Sequence, residues 1–100
     1  MAPLSRQRTE KDTTELPTAL HVVAGLVELV GADRVAGCSV HTGSIRIQPS
    51  DLREGEEIAS LLGLHSALDH HMALPGFTDW SGDVRGYEVH VRGHLRERTA

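Results

Sequence analysis

A chain of 100 residues, 39% of them hydrophobic, with a formal net charge of −4, has room for one small domain of two packed layers. Its acidic balance lacks the dense positive charge behind sequence-independent nucleic-acid affinity, so a protein partner or a homo-oligomer is the main expectation and nucleic acid a minor one. The single cysteine excludes an internal disulfide framework; with no run of about 18 apolar residues and no apolar leader, the chain is expected in the cytoplasm, away from membranes.

Residues 1–15 are polar and lack an apolar period, which predicts a flexible tail ahead of a single α+β domain over 16–100. Pro17 then suits a helix start and Gly31 a left-handed stop, bracketing PTALHVVAGLVELV as about four helical turns. This helix is apolar nearly all round. Leu20, Val23, Val27 and Val30 make the stripe expected to face the domain's own sheet. Val22, Leu26 and Leu29 are left as a flank that needs a second cover, and they are read as a partner-binding or self-association surface.

In RVAGCSVHTGSIRIQP, glycine in a two-residue Thr42–Gly43 loop predicts a hairpin. Its register sets Val40 opposite Ile45 and Cys38 opposite Ile47 on a core face, so the thiol is expected to be buried. Ser39, His41, Ser44, Arg46 and Gln48 go to the other face. The stretch PSDLREGEEIASLLGL predicts a second helix capped by Ser50 or Asp51 and ended by Gly63. Leu52, Ile58, Ala59, Leu61 and Leu62 are expected inside, and Glu54, Glu56 and Glu57 in solvent.

The segment HSALDHH places His65, Asp69, His70 and His71 within seven positions. As a helix it offers His65 and Asp69 on one face as metal ligands; as a strand it sends His70 and His71 to opposite faces. Alternation of Leu68, Met72 and Leu74 fits a strand ending at Pro75–Gly76, while LHSALDHHMAL also fits a short helix. Without a second ligand pair, solvent-facing histidines are expected rather than a metal site. Phe77 and Trp80 are expected to anchor the following loop on the core.

The clearest strand is YEVHVRGHL, which alternates Tyr87, Val89, Val91 and Leu95 with Glu88, His90, Arg92 and His94. If it lies beside the hairpin, Arg46, His90, Arg92 and His94 share one mildly basic face with His41 and Gln48, a second candidate partner surface. Base stacking on it would need an exposed aromatic, and Tyr87 belongs to the core side. No GxSxG, P-loop, HExxH or dinucleotide fingerprint occurs, so no enzymatic activity, catalytic residue, cofactor or small-molecule substrate is inferred.

The order helix, strand, strand, helix, strand, strand, with the hairpin VHTGSIRIQP and the closing GYEVHVRGHL strand, resembles small uncharacterised α+β proteins of GC-rich actinobacteria and their phages or integrative elements. The resemblance spans about residues 17–95 and implies an accessory, mobile-element context. The expected fold is a two-layer α+β domain in the order αββαββ, an antiparallel sheet of about four strands with two helices on one face. The expected role is a small accessory or regulatory protein acting by protein–protein contact. The alternatives are a nucleic-acid-associated factor using the basic sheet face and, behind it, a histidine-based metal protein.

Overall fold

The computed structural model describes residues 3–96, with side chains from Leu16 to Arg96. The elements in chain order are α1 (Pro3–Val30), β1 (Val35–His41), β2 (Ser44–Pro49), α2 (Gly55–Leu62), β3 (Ser66–His70), β4 (Phe77–Val84) and β5 (Tyr87–His94), with short 3-10 turns before β1 and α2. The fold is α+β as expected, with one strand more. Pro17 lies inside α1 rather than at its first turn. The flexible-tail reading of residues 1–15 falls outside the residues whose side chains are described.

The five strands form one sheet in the order β1-β2-β5-β4-β3. The expectation of a purely antiparallel sheet is corrected: β2 and β5 run parallel at the centre, with Ile45 beside Val89 and Ile47 beside Val91. Parallel neighbours need a crossover, and the stretch holding α2, β3 and β4 supplies it. The hairpin register is the expected one, Val40 opposite Ile45 and Cys38 opposite Ile47.

Both helices contribute to one apolar cluster with one face of this sheet. Ala19, Val22, Leu26 and Val30 of α1 and Ile58, Ala59 and Leu62 of α2 pack with Ile45, Ile47, Trp80, Tyr87, Val89 and Val91. A spacing of three or four residues keeps each helical set on one stripe, and alternation keeps each strand set on one face. α2 lies over β5 and β4, while α1 lies beside β1. α2 sits so close that a Cβ at Gly55 would overlap the Gly93 Cα, so glycine at both positions sets the helix–sheet spacing. Asp51 caps the turn before α2 by accepting from the Arg53 backbone N–H at 2.9 Å, and Gly63 ends the helix at φ 77°. Leu61, expected inside, is exposed. Glu54 and Glu57 do more than meet solvent, since Arg34 after α1 pairs with them at 2.7 and 3.1 Å.

Three further expectations are corrected. Phe77–Val84 is a full strand rather than a loop. The ambiguous segment is a strand only as far as His70, and Met72 and Leu74 beyond it are exposed. Cys38, despite the correct register, is exposed, because β1 is the sheet's edge and the helices cover Val35 and Val40 only in part. Desolvation by the groups around it still pushes the thiol pKa up.

Candidate functional site

With both helices on one face, the other face of the sheet is open. Its side chains follow from the pairing register: Arg46 of β2 beside His90 of β5, His90 opposite Ser81 of β4, Arg92 opposite Asp79, His94 opposite Phe77, and Phe77 opposite His70 of β3. The expected basic set Arg46, His90, Arg92 and His94 is therefore brought together on one surface. The α1 set is divided. Val22 and Leu26 are 5% and 4% exposed in the core, whereas Leu29 is 59% exposed, so the three form no common flank.

The open face is more than a scatter of solvated charges. Asp79 stands at its middle with its side chain 15% exposed and accepts from Arg46 Nη1 at 3.2 Å. Its second oxygen lies 2.9 Å from His90 Nδ1, and the other ring nitrogen of His90 lies 3.2 Å from Glu88 Oε2. Carboxylates only accept, so the Asp79 contact is a hydrogen bond when Nδ1 carries the proton, and the Glu88 contact is an ion pair when the imidazole is protonated on both nitrogens. Arg46, Asp79, His90 and Glu88 thus form one connected row whose members hold each other's rotamers.

A second row runs beside it. The Arg92 guanidinium lies 3.8 Å over the Phe77 ring, and the His70 ring stacks on Phe77 at 4.4 Å with 21° between planes. β5 and β3 flank β4 on opposite sides, so the phenyl ring is sandwiched between cation and imidazole. Among the described residues Arg92 makes no ion pair, and it remains exposed. A shallow depression of about 370 Å³, lined by Ser66, Ser81, Gly82, Asp83 and Glu88, adjoins the Glu88 end of the face.

The HSALDHH residues do not converge. His70 joins the Phe77 stack. Asp69, on the covered side, accepts from Thr78 Oγ1 at 2.7 Å and takes a two-pronged contact from Arg96 at 3.1 and 2.9 Å, which raises the guanidinium pKa. His65 and His71 are exposed. No group of three or more His, Cys, Asp or Glu among the described residues is placed to hold a metal ion.

Sequence reasoning places Phe77 on the core and leaves Asp79 as a solubilising acid, whereas both lie on the open face and organise the site. The signal was there as FTDWSGDV: Phe77, Asp79, Ser81 and Asp83 alternate with Thr78, Trp80, Gly82 and Val84. It was masked because the large aromatic at its start belongs to the polar face, while two inward positions hold threonine and glycine. No described helix is long and apolar enough to cross a membrane. No family model, curated protein or solved structure matches the chain.

Proposed function

We propose that the chain is a small accessory protein that binds a protein partner through the open sheet face, by capture of an acidic segment. One observation carries this reading: Arg92 is held on Phe77, exposed and, among the described residues, without a carboxylate of its own. A guanidinium fixed in place loses little side-chain freedom when it meets a carboxylate, and its planar fork favours a two-pronged contact. His94 and His70 flank it with further donors, and the Arg46–Asp79–His90–Glu88 row supplies a rigid neighbouring floor. The reading assigns no catalytic residue and no cofactor.

Two features favour protein over nucleic acid. Both faces of Phe77 are taken, which removes the stacking platform that single-stranded nucleic acid uses, and Arg46 is already neutralised by Asp79. A cytoplasmic setting, and a phage or mobile-element context in a GC-rich host, are part of this proposal.

The test is quantitative capture from host lysate by the wild type and by Arg92→Glu, with and without nuclease. The reading expects a protein retained after nuclease treatment and lost with Arg92→Glu. Capture that nuclease abolishes would favour the nucleic-acid alternative. Capture indifferent to Arg92→Glu would remove the open face from the function.

A further inference from the structure

Among the described residues, His90 is the only histidine with a carboxylate at each ring nitrogen. Asp79 Oδ2 of β4 lies 2.9 Å from Nδ1, and Glu88 Oε2, two residues back along β5, lies 3.2 Å from Nε2. The two acids differ in freedom. The Asp79 side chain is 15% exposed and its other oxygen is tied to Arg46, whereas the Glu88 side chain is 66% exposed. The charged groups around the ring are Arg46 of β2, Asp79 and, diagonally, Asp83 of β4, and Glu88 and Arg92 of β5 itself. Neither helix covers this face.

The proton count on the ring decides what Glu88 can do. A neutral imidazole has one N–H and one bare acceptor nitrogen. Asp79 cannot turn away without leaving Arg46, so the single proton belongs on Nδ1. Nε2 and the Glu88 oxygen are then both acceptors, and at 3.2 Å they repel. Glu88 is able to leave for solvent, over the depression that it lines with Ser66, Ser81, Gly82 and Asp83. A second proton, on Nε2, reverses this, because the imidazolium attracts Glu88 into the contact found here. Histidine side chains exchange that proton between about pH 5 and 8. The row Arg46–Asp79–His90–Glu88 carries no net charge with the imidazolium and a net negative charge with the neutral ring.

From this we infer that His90 is a proton switch for the open face: protonated, it holds Glu88 down on the sheet, and neutral, it releases that carboxylate and leaves the row negative. The consequence for binding rests on the acid-capture reading of Arg92. His90 and Arg92 are two positions apart on the same face of β5, a separation of about 7 Å. Protonation therefore adds positive charge beside the place where a partner's carboxylate docks. Capture takes up a proton, so it tightens as pH falls and weakens as pH rises, and the coupling is reciprocal. One charge at about 7 Å on a solvent-facing surface is worth about three- to tenfold in affinity.

The test uses the full chain and a fluorescent hexaglutamate peptide, ionised throughout the range, at about pH 6 and about pH 8 and one ionic strength. The wild type should bind about three- to tenfold more tightly at the lower pH. His90→Gln should stay near the weaker value at both, and Arg92→Glu should bind at neither. Equal pH ratios in wild type and His90→Gln would assign the dependence to the flanking His70 and His94 and overturn the inference. Should circular dichroism show His90→Gln unfolded, Glu88→Gln decides: removing the released carboxylate should raise affinity at about pH 8, and an affinity no higher than the wild type's overturns the inference. In the free chain, the Glu88 carboxyl carbon resonance should move together with the His90 ring resonances through a pH titration. A Glu88 that ignores His90 overturns the switch whatever the peptide does. A Glu88 that follows His90 in a chain that binds no hexaglutamate at either pH supports the switch and overturns the acidic-segment reading, so the two failures are distinguishable.

Discussion

The covered and open faces of the sheet are built from the same strands and differ in what their side chains depend on. On the covered side, Ile45, Ile47, Val89 and Val91 are wholly buried beneath two helices, and the energetics is that of apolar area removed from water. On the open side, side chains are held by one another: Asp79 by Arg46 and His90, Phe77 by Arg92 and His70. The first face fixes the fold with groups that have no chemistry to offer. The second spends little stability and carries Arg46, Asp79, Asp83, Glu88 and Arg92, charged groups able to recognise a partner. Substitutions on the two faces should therefore separate, with stability lost on one and binding on the other.

The largest stability loss should come from Ile58→Ala. Its side chain is fully buried between α2 and the sheet, so truncation leaves a cavity and should cost about 2–5 kcal/mol, read as a lower denaturation midpoint. Gly55→Ala should cost about 1–3 kcal/mol, because the added methyl forces α2 away from Gly93; a melt unchanged by this substitution would show that the helix–sheet spacing is looser than described. Asp79→Ala crosses between the faces. It strips Arg46 and His90 of their shared acceptor, and since both remain partly in solvent the loss should be about 1 kcal/mol, accompanied by weaker partner capture. Arg92→Ala should change stability by no more than about 0.5 kcal/mol while reducing capture, the sharpest separation of the two faces.

The smallest effect concerns a cap on neither face. The Arg53 side chain, and then its backbone N–H, hold the Asp51 carboxyl down at about 2, below its ordinary 3.8. A depressed carboxyl contributes stability above the ordinary value and loses it as pH falls through the lowered one. The melting difference between wild type and Asp51→Asn should therefore be full above pH 3.8 and shrink as pH approaches 2.

Which parts were legible in the sequence follows the same division. The β1–β2 register could be read because a two-residue turn with glycine admits one pairing that keeps Val40, Ile45 and Ile47 together. β5 could be read because its inward positions are all aromatic, branched or small. The faces of α1 could not. Leu16, Leu20, Val22, Val23, Leu26, Val27, Leu29 and Val30 spread over about 180° of the helix, and which part of that wide arc is buried, the stripe through Ala19, was set by packing against α2 and the sheet rather than by its own period. The β2–β5 pairing is equally invisible locally, since it joins segments some forty residues apart and no turn specifies it. The candidate site was half legible. Its arginines and histidines stand out on alternating strands, but Asp79 and Phe77, which hold them in place, belong to the strand whose inward side is the least apolar.

The division of labour between the two faces is tested by taking Ile58→Ala on the covered side and Arg92→Glu on the open side through the same two assays, partner capture and thermal melting. Arg92→Glu should lose capture and keep the melting midpoint, whereas Ile58→Ala should lower the midpoint and keep capture at temperatures where it is folded. Folded variants that each lose both properties, or that lose neither, would contradict the separation.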